Sequence, residues 1–340
     1  MSDSTGVGTG VEVTDDDRRR ARQLLGLGSG TRTESPTVPP TDAGESLRVS
    51  MREHRVGWYV VLVLGLLGLA DTLQGYAFGV MAPEIARSLG IDRSQVATLN
   101  ALKTLATAAL TIPLVITVQR TPRRALVSVT AAAVWSVFAI ATSFVTTLGG
   151  LAAVLLMDGA TSGARGTMHV PLLSDSYPPK MRVRVLSWYS GLGAAGNIVA
   201  PLGVAALTTW AALTWRGVFL FTGVFTAAVT LAAVRLRDPG FGRHDTALLR
   251  DDSATDEHDH TAASAPTLGF SEITQRLLAV PTIRRQLAGW VVLGIMAIPL
   301  GTFITFLLDE RWGLGPGARG VVAATQAAVS LATLAVFGRV

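Results

Sequence analysis

Apolar residues gather along this chain into eight stretches, 57–80, 95–118, 125–147, 150–173, 185–208, 215–236, 286–308 and 318–338, with charge concentrated in the segments between them. A bilayer core of about 30 Å needs about 20 helical residues at about 1.5 Å each, and every stretch reaches that length. A soluble domain would need its charges interspersed. The pattern predicts an all-α, polytopic membrane protein with eight crossings.

Connection lengths divide the eight. The connections within 57–236 are short, whereas about 50 residues separate the sixth stretch from the seventh. We read residues 1–56 as a disordered cytoplasmic tail, 57–236 as an N-terminal six-helix transmembrane bundle, 237–285 as a cytoplasmic central loop and 286–340 as the first two helices of an incomplete second bundle. A short repeat supports two blocks: Leu89-Gly90-Ile91 and Trp312-Gly313-Leu314 both sit at the outer turn of a helical hairpin, offset by 223 residues.

Charge gives the orientation. Arg48, Arg52 and Arg55 precede the first stretch; Arg120, Arg123 and Arg124 follow the second; Lys180, Arg182 and Arg184 follow the fourth; Arg235, Arg237 and Arg243 follow the sixth. The alternate connections are poorer, with Arg87 and Arg93 offset by Glu84 and Asp92, and Arg216 between the fifth and sixth. Basic loops stay inside, so the N-terminus is expected in the cytoplasm and the protein in the cell membrane. The pI near 10.2 therefore reflects topology, and no nucleic-acid partner is expected.

Within the central loop, Asp251, Asp252, Asp256, Glu257 and Asp259 interleave with His258 and His260. Such a cluster could hold a metal loosely, but without a scaffold it reads as a hydrated linker. Residues 269–285 read instead as an amphipathic segment on the inner surface. There is no cysteine and no nucleotide loop, zinc motif or nucleophile elbow, so neither an enzyme nor a cofactor is expected.

Four segments carry a resemblance. Gln119-Arg120-Thr121-Pro122-Arg123-Arg124 lies where one transporter family has an Asp-Arg-x-Gly-Arg-Arg-like loop, with Gln119 for the acid and Pro122 for the glycine. The segment from Leu173 to Arg182, LSDSYPPKMR, is similar to that family's turn after helix four. Ala195-Gly196-Asn197-Ile198-Val199-Ala200-Pro201-Leu202-Gly203 resembles the Gly/Pro signature of its antiporters, and Trp215-Arg216-Gly217-Val218-Phe219 the opening of its helix six. Over residues 57–340 the chain resembles the major facilitator superfamily, without the last four helices. The resemblance implies a secondary transporter moving a small solute by alternating access, with Arg120, Arg123, Arg124, Gly196 and Pro201 in gating motifs. The alternative is a non-transporting membrane fragment or accessory module that retains the first bundle.

Intramembrane polar residues are costly and mark pathways or pairs. Asp71 in the first stretch and Lys103 in the second lie at matching depth, which favours an ion pair between them. Asp158 and Arg165, seven residues apart, share one face of the fourth stretch at a separation of about 10.5 Å. The resemblance sets helices one and four against a central cavity, placing Asp71, Gln74 and Phe78 opposite Asp158 and Arg165. Asp71, Gln74, Lys103, Asp158 and Arg165 are therefore the candidate substrate and proton pathway. The seventh and eighth stretches offer Thr302, Thr305, Gln326, Ser330 and Thr333, with Asp309, Glu310 and Arg311 beyond them, so proton coupling would fall to acids of the first block. Gly191, Gly193, Gly196 and Gly203 suit close backbone approach. His169, near the inner end of the fourth stretch, reads as interfacial. The polar set carries both signs, compatible with an organic cation, an anion or a zwitterion. The expected partners are a small-molecule substrate, the lipid bilayer and protons.

Overall fold

The computed structural model describes residues 56–120, 123–240 and 270–337. The N-terminal tail up to residue 55, the acidic central loop with its His258 and His260, and the side chains of Arg120 and Arg165 lie outside the described residues.

Among the described residues, eight long helices stand at the eight apolar stretches: α1 Tyr59–Leu89, α2 Arg93–Arg120, α3 Arg124–Thr142, α4 Leu148–Ser176, α5 Pro179–Thr209, α6 Trp215–Ala233, α8 Pro281–Trp312 and α9 Pro316–Phe337. Between α6 and α8 lies α7, Phe270–Ala279, in the segment expected to be amphipathic. An ion pair within it joins Glu272 to Arg276 one turn on, at 2.6 Å. Helix α8 begins at Pro281, five residues before its apolar stretch, because proline suits a helix's first turn. Among the described helices, α1, α3, α5, α6 and α8 are long and apolar enough to cross a membrane on their own composition.

The helices pair α2 on α4, α3 on α6 and on α4, α1 on α5 and on α6, while α9 lies along α5 and α8 touches α1 and α2. The repeat noted in sequence has a backbone basis. Gly90 and Gly313 end α1 and α8 in the left-handed region, at φ 64° and 63°, where an L side chain is penalised. After the first of these turns, α2 opens on a reciprocal cap. Gln95 N–H donates to Asp92 Oδ1 at 2.8 Å, and Asp92 N–H to Gln95 Oε1 at 2.9 Å. The Ser94 hydroxyl and the Gln95 amide hold the Asp92 carboxyl below its usual range.

Close approach to backbone falls on glycines other than the four expected. Gly191 and Gly193 face open space, and Gly196 and Gly203 meet only α1 side chains. One tight contact is Gly159-x-x-x-Gly163 on α4: a Cβ at 159 would sit 2.3 Å from the backbone oxygen of Lys103, and one at 163 would sit 2.7 Å from Thr111 Oγ1. Backbone cannot yield as a flexible side-chain tip can, so Gly159→Ala should force α2 and α4 apart. We expect a loss of about 1–3 kcal/mol, read as a lower melting temperature of the purified protein. An unchanged melting temperature would mean that the two helices are not packed this closely.

Candidate functional site

Three clusters of polar residues lie at different depths; the end of the bundle that carries the basic loops is called inner, after the orientation expected from loop charge. The inner cluster gathers segments that carry the family resemblance. Arg124, buried at the start of α3, pairs with Asp175 at 2.6 Å and with Asp238 at 3.7 Å. Asp238 also accepts the Ala125 amide at 3.3 Å, a carboxylate where the helix N-terminus favours one. Arg182 Nε donates to the Ser174 and Tyr177 carbonyls at 2.8 and 3.3 Å, closing the turn between α4 and α5. The Tyr177 hydroxyl donates to Gly57 O at 2.7 Å, and burial pushes its phenol up to about 12. Of the basic triplet, Arg124 is at the centre of this cluster, Arg123 is exposed and the Arg120 side chain is not described.

The mid-membrane cluster joins four helices. Asp158 of α4 is buried, and its Oδ1 accepts from Gln74 Nε2 of α1 at 2.8 Å and from Trp135 Nε1 of α3 at 2.5 Å. Its other oxygen pairs with Lys103 of α2. This corrects the expected partnership: the acid that holds Lys103 is Asp158, with Asp71 contributing a weaker electrostatic attraction. The reason is the Gly159–Gly163 contact, which draws the Lys103 turn onto the Asp158 turn. Asp71 instead accepts from Ser162 Oγ at 2.9 Å and faces a cavity of about 520 Å³, with Thr72, Tyr76, Asn100, Asn197 and Thr302. Neither Lys103 nor Asp158 lines that cavity. Arg165 follows Asp158 by two turns of α4; its side chain is outside the described residues. Trp135 carries no signal in the sequence, since a lone tryptophan in an apolar run looks like any other core residue.

Nothing in the sequence pattern points to the outer cluster. Arg319, at the start of α9, is 2% exposed and pairs with Glu84 of α1 and, at 3.8 Å, with Asp309 of α8. Arg87 bridges the same acids, at 2.6 Å to Asp309 and 2.9 Å to Glu84, and Arg93 reaches Glu310 at 3.0 Å. Acids and cations of two blocks thus close on one another at the outer ends. In sequence, Arg319 stands at the edge of the last apolar stretch, where it looks like an ordinary loop charge. Arg216, at the start of α6, reaches across to the connection after α3: it donates to the Ser143 and Val145 carbonyls at 3.0 and 2.6 Å, and so satisfies the end of α3.

Beside Tyr76 and Asn197, a second cavity of about 780 Å³ runs between α1, α5, α8 and α9 and reaches Arg319, Gln326 and Ser330. Pro201 is accommodated within an unbroken α5, and its carbonyl lies against Gly320 of α9. Gly196 packs against Leu69 and Thr72 of α1. These two signature residues therefore sit at the contacts of α5 with α9 and with α1.

The sequence profile described as Major Facilitator Superfamily matches residues 64–340. The chain belongs to that family. Two solved structures are similar to it, both of a bacterial homolog to the human lysosomal transporter Spinster in inward-facing conformations. The unoccupied form is 19% identical with a TM-score of 0.65, and the occupied form 18% identical with a TM-score of 0.63. Each match covers 80% of this chain, and the chain spans 60% and 58% of the two solved chains. No curated protein matches. The all-helical architecture expected from the sequence agrees with both comparisons.

Proposed function

We propose that the full-length protein is a secondary transporter that carries a small solute across the cell membrane by alternating access, with Asp71 as the proton-carrying acid. The observation that supports this most is that Asp71 lies on the wall of a large cavity between the two blocks. Asp158 is neutralised by Lys103 and two hydrogen bonds, while Asp71 faces a cavity of about 520 Å³ walled by residues of both blocks. An acid on the wall of such a cavity has water within reach for proton exchange. Lys103, Gln74 and Asp158 then hold the bundle in register beside the route. The gating segments around Arg124 and Pro201 join the inner ends and the α5–α9 contact that must rearrange. An inside N-terminus follows from the basic loops.

Inward-facing geometry is the reading that the outer ion pairs favour, because they close the outer ends of α1, α8 and α9. The expected result is that Asp71→Asn in the full-length protein abolishes accumulation driven by a pH gradient and leaves solute exchange measurable. A panel of organic cations, anions and zwitterions in reconstituted vesicles supplies the solute. Full pH-driven accumulation by the variant would overturn the role given to Asp71, and no flux of any solute would favour the accessory reading.

A further inference from the structure

His169 is the residue whose surroundings differ most from those expected of its sequence position. Expected at the membrane interface, it is 3% exposed in the interior of the first block. Its Nδ1 lies 2.9 Å from the Tyr189 hydroxyl of α5, and the two rings meet edge to face. A neutral imidazole can accept a hydrogen bond from that hydroxyl, and an imidazolium can donate one to it, so the contact serves both charge states.

The ring also lines a void of about 30 Å³, together with Asp71, Ser128, Trp135, Thr161 and Ser162. One water needs about 10–15 Å³ of such space and two to four polar partners; here a carboxylate, three hydroxyls and an imidazole surround it. Asp71 thus touches two spaces, the void on one side and the central cavity on the other. Tyr189 in turn lines a third space of about 280 Å³ with Gly65, Gly68, Gly166, Val170 and Gly193. Those residues belong to the inner halves of α1, α4 and α5 under the orientation that the loop charges give.

We infer that Asp71 and His169 form one proton-binding site, sharing a proton across the void and exchanging it with the inner cavity beside Tyr189. In the transfer, the O–H bond of protonated Asp71 breaks and an N–H bond forms on the imidazole through one water. A carboxylate and an imidazolium remain, with no change in total charge. The imidazolium Nδ1–H then passes its proton to the Tyr189 oxygen while the Tyr189 hydroxyl gives its own proton to water in the inner cavity, and the ring is neutral again. A proton can in this way leave Asp71 while solute fills the central cavity.

Among the described residues, charged and titratable groups come to the ring's surroundings from the helices packed against α4. Asp71 comes from α1 and Tyr189 from α5, and Lys103 from α2 is held by Asp158. From α3 come Ser128 and Trp135. On α4 itself, Asp158, Ser162, Arg165 and His169 recur at intervals of four, three and four residues, which places them on one stripe.

The inference rests on the transport reading for its purpose, but its test needs no solute. Full-length protein labelled with ¹⁵N-histidine is placed in lipid nanodiscs and titrated. With five histidines in this chain, His169→Gln assigns the resonance by difference. A shared site predicts that His169 titrates and that Asp71→Asn lowers its midpoint by about one unit, since a nearby carboxylate favours the charged ring. Tyr189→Phe should move the Nδ1 resonance. If Asp71→Asn does not accumulate folded, Asp71→Ser removes the same charge with a smaller side chain. A His169 that stays neutral throughout, or whose midpoint ignores the charge at position 71, overturns the shared site. Either result leaves the transport reading intact, because that reading is tested by flux.

Discussion

Replacing Lys103 by Gln, or Asp158 by Asn, should each destabilise the protein far more than replacing both. In the single variants a buried charge faces a neutral group: the ammonium meets an amide, or the carboxylate keeps Gln74 and Trp135 but loses its counter-ion. Removing one partner of a buried pair typically costs about 3–5 kcal/mol, whereas exchanging both for neutral groups is often close to neutral. In the double variant the two new amides can hydrogen-bond to each other, and the amide oxygen at position 158 can still accept from Gln74 and Trp135. A thermal-stability double-mutant cycle on the purified protein measures this coupling. Additive losses would show that the pair is not a unit. The same cycle on Asp71 and Lys103 should give the smaller coupling, since Asp71 is held by the Ser162 hydroxyl instead.

Arg319→Ala should open the outer end. The guanidinium joins Glu84 of α1 to Asp309 of α8 from its own place on α9, so one substitution frees α9 from both acids and leaves Arg87 alone to bridge them. If these pairs hold the inward-facing form, their loss moves the population toward the outward-facing one. A shift of about 1.4 kcal/mol changes that ratio tenfold. The measurement is the labelling rate, from the outside, of a single Cys introduced at Ala297, which lines both large cavities. Labelling about tenfold faster than in the Arg319-containing parent is the expected result, with Arg319→Lys in between because a single ammonium cannot fork between two carboxylates. An unchanged rate would mean that the outer cluster only ties the surface together. Glu84→Gln should act in the same direction as Arg319→Ala, as it removes the acid that both arginines share.

Much of the architecture was legible because the bilayer is a demanding solvent. Each apolar stretch must satisfy its backbone internally, so eight stretches became eight long helices, and the glycines that end α1 and α8 could be located from sequence alone. The short inner signature from Leu173 to Arg182 was legible for a similar reason. A turn of fixed length that places a proline, a buried tyrosine and an arginine together leaves few arrangements, and the structure uses Arg182 to hold its carbonyls. Asp92 likewise acts on backbone groups within its own turn.

Partnership across helices was not legible in the same way. Matching depth pointed to Asp71 as the partner of Lys103, because sequence gives height along a helix but not its rotation against a neighbour. The choice was made by Gly159 and Gly163, which bring the α4 backbone onto α2 and leave Asp158 the nearer acid. His169 and Arg319 show the same limit. Each lies close to a stretch's end, where a polar residue is expected to face water, yet each is buried by a helix from elsewhere in the chain. What the sequence determined by itself was the solvent, the eight long helices and the family. Which acid takes Lys103 and which lines a cavity, and which arginine meets the acids at the other end, were decided only when the helices packed. A charge in low dielectric takes the partner that geometry brings within a few ångströms, and that distance is a property of the assembled bundle.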